Sequence, residues 1–89
     1  MRGVLLNAMD ISEVTERVKG VFGKVFPETA GTFDPEKEQR SFENWDSFAH
    51  LELVSALESE FGVTFSLQDV ATIDRPRGFI ELIAKKAAK

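Results

Sequence analysis

Ser47 is the side chain in this sequence with the clearest potential for chemistry, because Asp46 precedes it and His50 follows three residues later. Serine, histidine and aspartate form the catalytic triad of many hydrolases. The spacing does not suit that mechanism, since the serine and histidine would share one helix and no Gly-x-Ser-x-Gly turn is present. His50 is the only histidine, and 89 residues offer little room for an oxyanion hole. We therefore predict no hydrolytic site, and a packed or surface role for His50.

The element that must position this serine is a helix. Asp46 and Ser47 are both preferred N-cap residues, and good helix formers follow without glycine or proline until Gly62. We predict a helix from Ser47 to Phe61, with a core face made of Leu51, Leu53, Val54, Leu57 and Phe61. Phe48 falls on the opposite face, where an outward aromatic ring suggests a partner surface. The other outward residues are Glu52, Ser55, Ala56 and Ser59.

The segment from Asp46 to Val63 resembles the phosphopantetheine-attachment segment of acyl carrier proteins. That family has Asp-Ser-Leu, then a Glu-Leu-Val-like triplet, and then Ala-Leu-Glu-x-x-Phe-Gly-Ile. The matching stretches, in the same register and without a gap, are Asp46-Ser47-Phe48, Glu52-Leu53-Val54, Ala56-Leu57-Glu58 and Glu60-Phe61-Gly62-Val63. The resemblance implies the family's small all-α bundle, in which a long first loop presents the serine.

The resemblance also implies a role for Ser47. In the family this hydroxyl accepts the 4′-phosphopantetheine arm of coenzyme A, which a phosphopantetheinyl transferase attaches. The thiol of the arm carries an acyl group as a thioester, so the carrier is not an enzyme and needs no catalytic residue or resident metal. Asp46 corresponds to the flanking acid that helps to engage the transferase. A chain without cysteine fits this role, because the arm supplies the thiol.

Partner-binding and cargo-binding residues follow from the same resemblance. Phe48, Glu52 and Glu58 correspond to positions that partner enzymes contact, often through basic patches. Those partners load, elongate or transfer the acyl group. A second set corresponds either to a cleft that shelters the acyl chain or to plain core packing, and comprises Val54, Leu57, Val70, Ile73 and Phe79.

The sequence leaves the cargo open. Fatty-acid, polyketide and related biosynthesis all use such carriers, whereas Phe48 in place of the usual leucine is similar to carriers that load D-alanine. Asn44-Trp45-Asp46 lacks the Gly-Gly lead-in that is common in peptidyl carriers. A different class of function is an interaction module that binds a partner through the acidic helix and Phe48, without any prosthetic group.

The charges are distributed unevenly along the chain. All eleven lysines and arginines lie in residues 1–40 or 75–89, whereas residues 41–74 contain seven acids and no base, within a net charge of −4. Such a stretch repels nucleic acid and can steer basic protein surfaces toward it. No segment reads as a signal peptide or membrane span, and the lack of cysteine fits a reducing compartment. We expect a cytoplasmic monomer that neither binds nucleic acid nor inserts into membranes.

Other elements frame the central helix. Residues 1–9 are expected to form a flexible leader, and residues 10–89 a single domain. The helix-start signals are Asp10, Ser66 and Pro76, and the stop signals are Pro27 and Gly62. The expected anchors of the long first loop are Phe33, Phe42 and Trp45. We thus predict an all-α four-helix bundle with three longer helices, one short helix and a long first loop.

Overall fold

Four α-helices make up the framework of the residues that the computed structural model describes, 10–29 and 31–87. We number them α1 Ile11–Val25, α2 Ser47–Phe61, α3 Leu67–Thr72 and α4 Pro76–Ala87. The described residues contain no β-strand. The predicted all-α bundle of three longer helices and one short helix is therefore confirmed. The expected leader, residues 1–9, lies outside the described residues.

The helices begin at the residues that the sequence predicted. At these starts, either a side chain accepts a hydrogen bond from a free N–H group of the first turn or a proline lacks that N–H group. Asp10 Oδ1 accepts a hydrogen bond from the N–H of Glu13 (3.0 Å) at the start of α1. Ser66 and Asp69 form a reciprocal capping box at α3, with distances of 3.0 and 3.1 Å. Pro76 opens α4, where its missing N–H removes no helical hydrogen bond.

Gly62 ends α2 in the left-handed conformation, with φ of 67°. Its N–H and that of Val63 both donate to the carbonyl oxygen of Glu58, at 2.8 and 3.2 Å. These bonds satisfy the carbonyl group of Glu58 in the last turn of the helix, as a C-terminal glycine in the left-handed conformation allows. Residues 63–65 then connect α2 to α3 and are not part of a strand.

The core lies between α1, α2 and α4, and α1 packs against both of the others. Apolar side chains at helical spacing supply it. The fully buried ones include Val14, Val18 and Phe22 on α1, Leu53 and Leu57 on α2, and Phe79 and Ile83 on α4. Closed packing of this kind fits a monomer. Among the described helices, none has the length and apolar character that a membrane crossing would require.

Aromatic rings hold the long loop between α1 and α2 on the bundle, as predicted. The ring centroids of Phe33, Phe42 and Trp45 lie 5.6, 6.3 and 5.4 Å from that of Phe22 on α1. Phe42 and Trp45 are buried, whereas Phe33 is half-buried. The loop also contains two 3₁₀ turns, which sequence analysis did not predict, at Pro27–Thr29 and Gln39–Ser41.

Polar contacts tie the same loop to the junction between α3 and α4. The backbone N–H of Gln39 donates to the carbonyl oxygen of Asp74 at 2.6 Å. Arg75 donates to the carboxylate of Glu38 at 3.0 Å. The loop is thus fixed to α1 by aromatic packing and to the α3–α4 junction by hydrogen bonds, so the start of α2 has a defined place.

The placement of Leu51 in the core of α2 was wrong, since this side chain is 60% exposed. The buried face of the helix contains His50, Leu53, Val54 and Leu57. Leu51 lies about 100° around the helix from His50, outside that face. The prediction failed because the core face was taken as too broad an arc, with Leu51 at its edge, whereas the buried face extends in the other direction to Ala49.

Candidate functional site

Ser47 is the first residue of α2, and its hydroxyl group is not used to cap the helix. The N-cap is Asp46, whose carboxylate accepts a hydrogen bond from the N–H of Ala49 at 2.8 Å. Ser47 is exposed, and no residue in the described part of the chain hydrogen-bonds to its hydroxyl. Capping is the ordinary reason for a serine at a helix start, and Asp46 already provides it here.

Trp45 fixes the position at which the chain enters α2. Its indole ring is buried, with its centroid 4.9 Å from Phe42 and 5.8 Å from Phe26. Its carbonyl oxygen accepts a hydrogen bond from the side-chain amide of Gln39 at 3.1 Å. Trp45 is therefore held through both its side chain and its carbonyl group, so the backbone that leads to Ser47 has a fixed position.

His50 is buried, and both of its ring nitrogens are used inside the molecule. The indole N–H of Trp45 lies 3.0 Å from His50 Nδ1, and His50 Nε2 lies 2.7 Å from the carbonyl oxygen of Val70. Because an indole N–H only donates, Nδ1 accepts and Nε2 carries the hydrogen that is donated to Val70. This neutral ring has no free nitrogen with which to deprotonate Ser47. Of the two predicted roles for His50, the structure supports packing.

An open depression of about 340 Å³ lies beside Ser47. Helix α2 contributes Ser47, His50 and Leu51 to its lining, and the other lining residues are Gln39, Val70, Ala71, Ile73 and Asp74. Val70 and Ile73 belong to the set that the resemblance related to an acyl cleft. The structure therefore brings these two predicted residues to the surface beside the serine.

The other three residues of that set lie in the core. Val54, Leu57 and Phe79 are buried and are not part of the depression. The Phe79 ring centroid lies 5.9 Å from that of His50 and 5.8 Å from that of Phe65. These three residues therefore pack in the core of this structure, which is the second of the two interpretations given for them.

A second open groove, of about 550 Å³, lies on the outward face of α2. Its lining residues are Phe48, Leu51, Glu52, Ser55, Ala56 and Ser59. Phe48 is 78% exposed, which confirms its predicted outward direction. Leu51 lines this groove as well as the depression beside Ser47, so the two are adjacent. Sequence analysis missed Leu51 as a surface residue, and a helical wheel centred on His50 would have found it.

Most carboxylates of the acidic stretch are engaged within the molecule. Glu58, assigned to partner binding, is half-buried, and its carboxylate accepts a hydrogen bond from the N–H of Phe65 at 2.8 Å. The other carboxylates that cap a helix or pair with an arginine are Asp46, Glu60, Asp69 and Asp74. Glu52 is exposed and has no hydrogen-bond or ion-pair partner among residues 10–29 and 31–87.

Two carboxylates near the site have lowered pKa values, because hydrogen bonds stabilise their charged forms. The side-chain amide of Asn44 donates to Glu28 at 2.9 Å and is the main cause of the lowered pKa of Glu28. The Arg75 guanidinium, 3.1 Å from Asp74, lowers the pKa of that carboxyl. Asp74 lines the depression beside Ser47, so its negative charge there is offset by an adjacent arginine.

Comparison with known proteins found no matching family model, no matching curated protein and no matching solved structure. Within the described residues, no group of three or more His, Cys, Asp or Glu side chains is arranged to hold a metal ion. Functional interpretation of the site therefore depends on the residues from Asp46 to Val63 and on the geometry at the start of α2.

Proposed function

We propose that this chain is an acyl carrier protein that bears a 4′-phosphopantetheine arm on Ser47. The observation that carries the proposal is the exposed Ser47 hydroxyl at the start of α2, whose capping role is taken by Asp46. A serine that neither caps its helix nor packs in the core is available as an acceptor. The gapless resemblance from Asp46 to Val63 indicates which group this hydroxyl would accept, the 4′-phosphopantetheine arm.

The surroundings of Ser47 fit the phosphodiester group through which such an arm is attached. The backbone N–H groups of Ser47 and Phe48 have no acceptor within the described part of the chain. The N-terminus of a helix attracts negative charge through such free N–H groups and through the helix dipole. The serine is also exposed, so a long arm attached there could extend into solvent.

In this proposal the residues of this chain hold and expose the attachment point of the arm, and other proteins carry out the catalysis. When bound, the arm supplies a thiol that carries an acyl group as a thioester, for fatty-acid, polyketide or related biosynthesis, or an aminoacyl group such as D-alanyl. Trp45 and Asp46 hold the attachment point. The proposed partners are a phosphopantetheinyl transferase and enzymes that load, elongate or transfer the acyl group, and the proposed setting is the cytoplasm.

The test is the intact mass of the folded protein before and after incubation with coenzyme A, Mg²⁺ and a broad-specificity phosphopantetheinyl transferase. We expect the wild type to gain the mass of one phosphopantetheine arm and Ser47→Ala to gain none. Ser55→Ala is the matched control, because Ser55 is exposed on the same helix, and it should be modified like the wild type. The proposal fails if folded, initially unmodified wild type gains no mass.

A second candidate function is an interaction module without a prosthetic group, and the exposed side chains of Phe48 and Leu51 favour it. Large apolar residues that face solvent together often mark a protein-binding surface. Such a module would keep its activity in Ser47→Ala, whereas a carrier would lose it completely. The same variant therefore separates the two functions.

A further inference from the structure

A hydrogen-bonded bridge through His50 lies between the depression beside Ser47 and the core. The indole N–H of Trp45 donates to His50 Nδ1 at 3.0 Å, and His50 Nε2 donates to the carbonyl oxygen of Val70 at 2.7 Å. His50 and Val70 both line the depression. On its inner side the imidazole ring faces the buried ring of Phe79, with 5.9 Å between the centroids. The bridge therefore joins α2 to α3 at the place where the depression meets the core.

The other sides of the depression are also held in place. Ile73 is packed close to Gly78 of α4, since a Cβ added at that glycine would lie 2.9 Å from Ile73 Cγ2. The N–H of Gln39 donates to the carbonyl oxygen of Asp74 at 2.6 Å, which joins the long loop to the α3–α4 junction. Ile73, Gln39 and Asp74 all line the depression. Its walls are thus tied to α2, to α4 and to the loop.

Entry of a ligand from the depression into the core would require the His50 ring to move. The indole N–H of Trp45, a residue only 4% exposed, would then lose its acceptor, and a buried donor without a partner is unfavourable. Beyond the ring, the buried side chains of Val54, Leu57 and Phe79 already fill the interior. A close-packed interior takes in additional methylene groups only by displacing its own side chains.

We propose that His50 closes the core to acyl chains, so that this carrier shelters only a short acyl group, in the depression beside Ser47. This inference rests on the proposed function and narrows its cargo class. The apolar lining residues Val70, Ala71 and Ile73 suit a short hydrocarbon chain. The volume of about 340 Å³ is near the lower end of the range of about 300–1,000 Å³ that is usual for small-molecule sites. The remainder of a longer chain would stay outside the protein.

The experiment compares a short and a long cargo on the same chain. A broad-specificity transferase with Mg²⁺ and either acetyl- or decanoyl-coenzyme A transfers the acylated arm to the Ser47 hydroxyl and releases the nucleotide half of coenzyme A. Intact mass verifies that each form is loaded. In the wild type we expect the NMR amide resonances of Leu57 and Phe79, in the core, to be the same in both forms. The urea midpoints of the two forms should agree within about 0.3 M.

His50→Ala removes the ring and should open the core. In this variant the decanoyl form should show shifted Leu57 and Phe79 resonances. Its urea midpoint should exceed that of the acetyl form by about 0.5 M or more, because buried methylene groups stabilise the folded state. Leu51→Ala is the matched control, because Leu51 lines the same depression but is exposed and is not part of the bridge. Its core resonances should not depend on the cargo. Circular dichroism establishes that each variant is folded.

The outcomes separate this inference from the proposed function. Core resonances that depend on the cargo only in His50→Ala support the closure by His50. Resonances of Leu57 and Phe79 that shift in the decanoyl form of the wild type overturn it while the carrier function stands, and this comparison needs no variant. Unshifted core resonances in folded, decanoyl-loaded His50→Ala also overturn the assignment to His50. If the wild type accepts no arm even from coenzyme A itself, the carrier function fails and this inference fails with it.

Discussion

Replacing His50 by phenylalanine should destabilise the fold, because it removes two hydrogen bonds while keeping a ring in the same place. Trp45 is only 4% exposed, so its indole N–H would lose its acceptor in a site that water reaches poorly. An unsatisfied buried donor costs about 1–3 kcal/mol. The carbonyl of Val70 also loses its donor, but Val70 is half-buried and water can replace part of that bond. We expect the free energy of unfolding to fall by about 2 kcal/mol.

Urea unfolding measures this loss. Trp45 is the single tryptophan of the chain, so its fluorescence reports unfolding at the substituted site, with far-UV circular dichroism as a second probe. For a small domain a loss of about 2 kcal/mol moves the urea midpoint down by about 1–2 M.

A double-mutant cycle with Trp45→Phe isolates the hydrogen bond. In the Trp45→Phe background no indole N–H remains to be left unsatisfied, so His50→Phe should cost clearly less than it does in the wild type. Circular dichroism follows unfolding in that background, which lacks the fluorophore. An equal cost in both backgrounds, or no loss of stability in His50→Phe alone, would show that the Trp45–His50 bond does not stabilise the fold.

The remaining predictions concern two helical glycines and one shifted carboxyl. Nothing lies within 4 Å of a Cβ added at Gly23, so Gly23→Ala should raise the free energy of unfolding, measured with urea, by up to about 1 kcal/mol. At Gly78 an added Cβ would lie 2.9 Å from Ile73 Cγ2, so Gly78→Ala should instead lower the free energy of unfolding. If both substitutions raised the free energy of unfolding, or both lowered it, the packing described at these two glycines would be contradicted. Asn44→Ala should raise the pKa of Glu28 toward the ordinary value of a glutamate in an NMR titration, because the amide that stabilises the carboxylate is lost. Since the folded-state pKa of Glu28 is lowered, its contribution to stability is present above the ordinary pKa of a glutamate and is lost as the pH falls through the lower, folded-state pKa. Asn44→Ala should weaken this acid dependence, and an unchanged titration curve would exclude the hydrogen bond as its cause.

The helix boundaries could be predicted from sequence because the signals that set them are local. A cap or a left-handed glycine acts on backbone groups within a few residues, and Asp10, Gly62, Ser66 and Pro76 all act where they were expected. The identity of the cap at α2 was not decided by sequence. Asp46 and Ser47 are both preferred caps, and only the backbone conformation selects Asp46 and leaves the Ser47 hydroxyl free.

The features that sequence missed depend on contacts between distant segments. His50 joins the core because Trp45 and Val70 satisfy its two nitrogens, and Val70 is twenty residues away. Glu58 turns inward because the connector after α2 brings the Phe65 N–H to its carboxylate. A helical wheel contains neither partner, so it cannot separate a buried histidine from an exposed one or a bound carboxylate from a free one.

The most direct test of the central claim is a thiol titration of the folded chain before and after treatment with coenzyme A, Mg²⁺ and a phosphopantetheinyl transferase. The chain contains no cysteine, so the background is zero and any thiol must arrive with the arm. After removal of free coenzyme A, we expect about one thiol per wild-type chain and none in Ser47→Ala, since the Ser47 hydroxyl is the proposed acceptor. No thiol on the wild type, or an equal thiol content in Ser47→Ala, would contradict the assignment of Ser47 as the attachment site.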